Sequence, residues 1–98
     1  MVKEMQPETV KKIARVLTLL KTAGTEIHLR GIAKNLGMDP KTVSRIVDNY
    51  LAPFVDSRNI ELYGFRARLV KLKDDKRGVT LKDILNYAEV RKKIRQPA

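Results

Sequence analysis

Four polar side chains stand within five consecutive positions and are suited to hydrogen bonding rather than to bond-breaking chemistry. They are Lys41, Thr42, Ser44 and Arg45. Lysine and arginine donate hydrogen bonds to base edges and phosphates, and hydroxyl groups donate to phosphate oxygens. On one side of a helix, these residues predict contact with a groove of a nucleic acid.

Catalytic and metal-binding chemistry has little basis in the sequence. His28 is the only histidine, at the expected start of a helix where capping or packing is its usual role, and the chain has no cysteine. The carboxylates are scattered without the spacing of metal ligands, and no glycine-rich phosphate loop is present. We expect no catalytic residue, no metal and no cofactor, so the chain is not expected to be an enzyme.

Residues 28–51 are predicted to form two short helices that position the polar group. In the first, apolar residues recur at spacings of three and four, and Gly37 ends it because glycine readily takes the left-handed conformation. Asp39 is the expected N-cap of the second helix, and Pro40 its first residue. The apolar residues of the two helices are Leu29, Ile32, Ala33, Leu36, Val43, Ile46, Val47 and Leu51.

The segment Leu-Gly-Met-Asp-Pro-Lys-Thr-Val-Ser-Arg-Ile-Val resembles the turn and recognition helix of winged helix-turn-helix DNA-binding proteins, of the small transcription-regulator type found in bacteria and archaea. The resemblance covers about a quarter of the chain. It implies that Lys41 and Arg45 read base edges and that Thr42 and Ser44 hold phosphates. Pro40 departs from the pattern, because repressors often carry a polar base-reading side chain there, and this implies weaker sequence specificity. The full set of expected DNA contacts is Pro40, Lys41, Thr42, Ser44, Arg45, Arg30, Asn49, Arg58, Arg66 and Arg68.

The charge of the chain favours a polyanionic partner. The formal net charge is +10, from 21 lysines and arginines against 11 acidic residues, and the pI is about 10.2. Residues 66–98 carry +7 of this excess. A solvated charged face is the ordinary explanation of a single run such as Arg91-Lys92-Lys93, but the asymmetry together with the motif predicts binding to nucleic acid.

A β-hairpin, the wing of the resemblance, is predicted over residues 59–73, with its turn at Gly64. A single small strand is expected earlier, over Thr25-Glu26-Ile27. On the hairpin, Arg66 and Arg68 are two residues apart and therefore project from one face, where they suit phosphates or the minor groove. The alternative is an exposed strand whose charges prevent edge pairing.

The hairpin contributes further candidates for contact with DNA. Arg58 is a lesser candidate, just before the predicted strands. Tyr63 and Phe65 flank the turn and could stack on a base or sugar, although at least one of them is expected to pack beneath the hairpin.

Helices are predicted to flank this unit at residues 1–24 and 80–95, the second opened by a capping box of Thr80 and Asp83. Each shows a second apolar strip beyond its core stripe. We expect these strips to meet their counterparts in a two-fold homodimer, or to cover each other within one chain. The residues of the second strips are Met5, Val16, Leu19 and Ala23 in the first helix and Tyr87, Val90 and Ile94 in the last.

The fold class predicted for residues 1–98 is a single, mainly α-helical domain with a small β-hairpin, a winged helix-turn-helix. No apolar run approaches the length of a membrane span, so we expect no membrane partner. We expect a cytoplasmic, nucleoid-associated location.

Three functions fit the sequence. The first is sequence-preferring binding of double-stranded DNA, as a transcriptional regulator. The second is an architectural or segregation-type protein that coats DNA with little sequence preference. The third is an RNA- or protein-binding winged-helix module.

Overall fold

The computed structural model describes residues 6–95, apart from the side chains at positions 62 and 92–95. Its α-helices are α1 (Pro7–Ala23), α2 (Leu29–Leu36), α3 (Pro40–Ile46) and α4 (Leu81–Arg95). Its strands are β1 (Ile27–His28), β2 (Val55–Leu62) and β3 (Phe65–Leu72). A π-helical turn (Val47–Leu51) and two 3-10 turns (Ala52–Phe54 and Asp74–Lys76) complete the regular structure. The prediction of a helix-rich fold with a small hairpin is confirmed.

The first helix supplies much of the core. Ile13, Val16, Leu17 and Leu20 are all buried, and α1 ends before Gly24, whose φ of 68° is left-handed. Assigning Val16 to a strip that awaits a second copy was wrong, because its side chain is fully enclosed within this chain. A helix with partners on more than one side buries more than one stripe of residues.

The turn between α2 and α3 forms as the sequence predicts. Gly37 has a φ of 66°, and the following N–H, of Met38, donates to the Ala33 carbonyl oxygen at 2.8 Å. The Asp39 carboxylate accepts a 2.8 Å hydrogen bond from the backbone N–H of Lys41, which makes Asp39 the N-cap. The start and the direction of α3 are therefore set by local chemistry.

The three strands form an antiparallel sheet in the order β1-β3-β2. The hairpin β2–β3 has Tyr63 and Gly64 as its two turn residues, and β2 begins at Val55, four residues before the predicted boundary. Val55 is buried and pairs with Leu72. The residues that follow it are polar, so the start of the strand has no hydrophobic signal in the sequence. The small first strand was predicted over residues 25–27 and spans 27–28, where Ile27 pairs with Val70.

The last helix packs on this core. Thr80 and Asp83 form the predicted capping box, in which each backbone N–H donates to the other's side chain at 2.9 and 3.2 Å. Ile84 is completely buried, and the ring of Tyr87 packs edge-on against Phe54 with 5.8 Å between centroids. Tyr87 therefore has a partner within the chain.

Other residues of the expected second strips have different outcomes. Val90 is 55% exposed, whereas Leu19 is partly buried against the core. Met5 and the side chain of Ile94 lie outside the described part of the chain. Within residues 6–95, no helix combines the length and apolarity that crossing a membrane requires.

Candidate nucleic-acid interface

The outward side of α3 carries the two cations that the sequence singles out. Val43 and Ile46 are buried and hold the inner side of the helix against the core. Lys41 and Arg45 are exposed and, being four residues apart, lie one above the other on the outer side. Their side chains are free to reach a surface that approaches α3 from outside.

The remaining predicted residues of this segment are arranged around that pair. Pro40 is exposed at the first position of the helix, and Thr42 is half-buried. Asn49 is exposed in the π-helical turn, and its backbone carbonyl oxygen accepts a 2.7 Å hydrogen bond from Arg91 of α4. The end of the α3 segment is thereby attached to the last helix.

Ser44 lies on the flank of α3 that faces the hairpin, where Arg68 of β3 organises a polar cluster. The Arg68 guanidinium donates to the hydroxyl of Ser57 at 2.6 Å and to the carboxylate of Asp48 at 2.7 Å. A longer contact of 3.4 Å joins it to the Ser44 hydroxyl. We name Ser44, Asp48, Ser57 and Arg68 the Arg68 cluster. The cluster links both hairpin strands to α3. Two of its members, Ser44 and Arg68, were predicted from the sequence to contact DNA.

A groove of about 310 Å³ lies beside the Arg68 cluster, between the start of α2, α3 and the hairpin. The residues that line it are His28, Leu29, Arg30, Ser44, Asn59, Arg66, Ala67 and Arg68. Three of them are arginines and none is acidic. We call it the arginine groove. Its size and its charge suit phosphate groups of an extended strand.

The two faces of the hairpin differ in what they present. Side chains alternate across a strand, so Arg66 shares the face of Arg68, and Arg58 lies on the face opposite its neighbour Ser57. The Arg66 side chain is 87% exposed, with a distant 3.9 Å contact to Glu61. Arg66 therefore remains accessible at the mouth of the arginine groove.

Arg58 is bound to a carboxylate on the face opposite the groove. Its guanidinium donates two hydrogen bonds to Glu26, at 2.7 and 2.9 Å. These bonds lower the pKa of the Glu26 carboxyl and raise the pKa of the Arg58 guanidinium, with desolvation opposing both shifts. The pair connects β2 to the residue before β1, so the structure gives Arg58 a structural partner where the sequence proposed contact with DNA.

The tip of the hairpin departs from the sequence-based prediction. Tyr63 is 96% exposed and Phe65 is 78% exposed, so the expectation that one of them packs beneath the hairpin was wrong. The reason is the length of the strands. Burial along β3 begins only at Leu69, and the turn extends beyond any surface that it could cover.

Three residues at this surface are absent from the set of contacts predicted from the sequence. His28 and Asn59 line the arginine groove, and Asp48 pairs with Arg68. Counting outward from the turn at Gly64 would have found Asn59, because the hairpin register places it opposite Arg68. The position of Asp48 depends on how the hairpin packs on α3, which has no signal in the local sequence.

Several arginines that contribute to the net charge donate hydrogen bonds within the fold. Arg15 donates to the carbonyl oxygen of Leu36 at the end of α2, at 2.7 Å. Arg77 donates to the carbonyl oxygen of Lys21 near the end of α1, at 2.8 Å. Cations stabilise the negative ends of helices. Net charge alone therefore overstates the positive charge available to a polyanion.

No match to the chain is found among protein-family models or curated protein sequences. In the part of the chain that the structure describes, no three histidine or acidic side chains are grouped closely enough to hold a metal ion. The arrangement at α3 and the arginine groove is one of hydrogen-bond donors and positive charge.

Proposed function

We propose that this chain is a winged helix-turn-helix protein that binds double-stranded DNA, with α3 as the recognition helix and the β2–β3 hairpin as the wing. One observation carries the proposal. The exposed Lys41 and Arg45 of α3 lie on the same part of the molecule as a groove lined by Arg30, Arg66 and Arg68. A regulator of transcription at the nucleoid is the form of this function that we favour.

The proposed contact of α3 is with the major groove, which is wide enough to admit a helix. The inner residues of α3 are committed to the core, so docking requires no change in the packing of the protein. Arg45 suits a bidentate contact with guanine, the commonest specific contact made by arginine, and Lys41 donates to the same acceptors. These two residues are the proposed base readers.

The proposed contact of the arginine groove is with the phosphate backbone. Arg30 and Arg66 are exposed on its rim. Among the described residues around the start of α2, no side chain caps the helix, because His28 makes no cap hydrogen bond. The first N–H groups of a helix attract anions. A phosphate near Arg30 would therefore meet both the side chain and the helix end.

Quantitative binding tests this assignment with labelled duplexes, one of selected sequence and one of random sequence, over a range of salt concentrations. With four phosphate contacts, a plot of the logarithm of the binding constant against the logarithm of the salt concentration would have a slope of about −3 to −4. Arg45→Ala should reduce the preference for the selected duplex by about 5- to 140-fold. Arg66→Ala should weaken both duplexes equally and reduce the slope by about 0.9.

Lys11→Ala is the matched control, since it removes one exposed positive charge from α1, which contributes nothing to the groove. Its affinity should equal that of the unmodified protein. Failure of the unmodified protein to bind any duplex at low salt would refute the proposal. Equal losses in Lys11→Ala and Arg45→Ala would refute the assignment of Arg45 as a reader.

The second candidate function is coating of DNA with little sequence preference. Pro40 offers no polar group at the start of α3, and the Arg68 cluster occupies Ser44 with internal contacts. Both features reduce the number of groups available to read bases. In a gel shift, a ladder of complexes on any duplex favours coating, and one discrete complex on a selected sequence favours a regulator. An RNA competitor that displaces the duplex favours an RNA-binding module.

A second copy of the chain is the other proposed partner, through α1 and α4. Val90 of α4 is 55% exposed, and Leu19 of α1 is partly buried. A two-fold dimer would place two recognition helices about 34 Å apart, on a palindromic site. Light scattering at high micromolar concentration tests the dimer, and Val90→Glu should dissociate it. A monomer under those conditions refutes it.

A further inference from the structure

The turn at the hairpin tip holds a bulky residue in a conformation that such residues rarely adopt. Tyr63 has a φ of 52° and Gly64 a φ of 80°. Positive φ at both central positions defines the type I′ turn, where asparagine, aspartate and glycine are preferred. A tyrosine there is a backbone outlier, and outliers of this kind gather at functional sites.

Packing gives no reason for the aromatic residues at this tip. Tyr63 is 96% exposed and Phe65 is 78% exposed, so neither contributes appreciably to the core. Phe65 is four residues before Leu69, the first buried residue of β3. Four residues of a strand span about 13 Å, so the tip stands well clear of the core.

We propose that Tyr63 and Phe65 form a wedge that stacks on nucleobases at a deformable step of the bound duplex. The inference rests on the proposed function and extends it, because it assigns the class of DNA that the protein prefers. Aromatic side chains stack on bases of any sequence, and wedges inserted from the minor groove partly unstack a base step and kink the duplex.

Charge on the same hairpin favours nucleobases over an apolar protein partner. Arg66, next to Phe65 in the chain and on the opposite face of the strand, has a side chain that is 87% exposed. The groove that it borders is lined by two more arginines, Arg30 and the Asp48-paired Arg68, and by no acidic residue. A partner that satisfies both the cations and the aromatic rings offers phosphates and flat apolar faces together, as DNA does. The minor groove is about 7.5 Å deep, within reach of the tip.

The preferred DNA then contains a step that opens readily. Pyrimidine–purine steps such as TA are flexible, whereas A-tracts are stiff. A mispaired base opens more readily still. The unmodified protein should bind a duplex with a central TA step or a single mismatch more tightly than the same duplex with an A-tract there. The preference should stay below the about 5- to 140-fold that one stacked base contributes, because the cost of opening the step opposes the gain.

Two substitutions remove the aromatic rings and keep the hairpin. Tyr63→Asn places a residue that tolerates positive φ in the turn, so the variant should be at least as stable as the unmodified protein. Phe65→Thr keeps a residue that favours strands. The probe is 2-aminopurine at the flexible step, whose fluorescence rises when it unstacks. The unmodified protein should raise the fluorescence, and the double variant should not.

The double variant should bind the A-tract duplex with the affinity of the unmodified protein and should lose the preference for the flexible and mismatched duplexes. Unchanged fluorescence with the unmodified protein bound would overturn the wedge. So would a preference that the double variant retains. In both cases, duplex binding that Arg45→Ala weakens would leave the proposed function standing.

Two further outcomes would also overturn the wedge. If the unmodified protein binds no duplex, the proposed function fails and the wedge fails with it. If Tyr63→Asn changes the sedimentation mass of the protein without changing its binding to DNA, the tip serves self-association.

Discussion

The guanidinium of Arg68 and the carboxylate of Asp48 are joined by a 2.7 Å ion pair between the hairpin and the turn that follows α3. The two proposed DNA-contacting elements are therefore fixed to each other by a charge pair at their shared edge. Its Arg68 side chain is 26% exposed and its Asp48 side chain 55%, so water reaches both. Asp48 has two opposing effects. Its ion pair orients the Arg68 side chain, and its negative charge repels the phosphates that are expected at this surface.

Asp48→Asn separates these two effects. Losing a partly exposed pair should lower the free energy of unfolding by less than about 1 kcal/mol. The affinity for DNA should rise by about 1.5- to 5-fold, because one repulsive charge leaves the interface and Arg68 gains freedom to meet a phosphate. Urea denaturation and fluorescence anisotropy measure the two quantities.

Asp75→Asn is the control for Asp48→Asn. It removes an exposed carboxylate from the 3-10 turn before α4, outside the groove. Its affinity for DNA should stay within the error of the measurement. Weaker binding by Asp48→Asn, with the fold intact, would show that Arg68 acts through its fixed orientation rather than through its charge.

Glu26 and Arg58 predict an acid-sensitive component of stability. The hydrogen bonds from Arg58 lower the pKa of Glu26 in the folded protein below its unfolded value. A group of this kind stabilises the fold above its unfolded pKa, about 4.3, and the contribution is lost as the pH falls through the lower folded value. Glu26→Gln should therefore be less stable than the unmodified protein at neutral pH.

The difference between these two proteins should shrink as the pH is lowered below about 4. Urea denaturation at neutral and acidic pH measures it. A difference that stays constant across this range would show that Glu26 acts through packing and not through its charge. Asp75→Asn, in the exposed 3-10 turn before α4, is the control for a change of net charge.

The sequence predicted those parts of the structure that depend on neighbouring residues. Gly37 and Asp39 define the turn and the start of α3 through backbone conformation and a local hydrogen bond, and both predictions are confirmed. The capping box of Thr80 and Asp83 is confirmed for the same reason. Such signals span only a few residues, so no knowledge of the tertiary structure is needed to recognise them.

The parts that depend on long-range packing were predicted less well. Val16 is buried in the core, because α1 contacts several elements at once. A prediction that allows one apolar stripe per helix leaves Val16 out of the core. The partners of Arg58 and Arg68 are 32 and 20 residues away in the chain. A list of basic residues does not show which of them already have partners in the folded protein.

The N-cap of α3 predicts a linked loss of stability and binding. In Asp39→Ala, the N–H of Lys41 loses its 2.8 Å hydrogen bond. The free energy of unfolding should fall by about 1 kcal/mol, and fraying of the first turn of α3 should weaken the binding of DNA. Asp39→Ser keeps a capping group and should restore both. Chemical denaturation and anisotropy measure the two effects, and full stability in Asp39→Ala would contradict the role of the cap.

Gly37 predicts how strongly backbone conformation directs α3. Its φ of 66° disfavours any side chain. Apart from Gly37 and its two chain neighbours, no described residue has an atom within 4 Å of the position that a Cβ would take. Gly37→Ala should therefore lower the free energy of unfolding by about 1 to 2 kcal/mol through the backbone alone, and Gly37→Asn should cost less because asparagine tolerates this region.

The matched control is Gly78→Ala, where space is equally open and φ is not positive. Thermal or urea denaturation should show that variant to be as stable as the unmodified protein or slightly more so, since alanine restricts the unfolded chain. Equal effects at the two glycines would mean that the turn before α3 adjusts, and that another contact sets the direction of the helix.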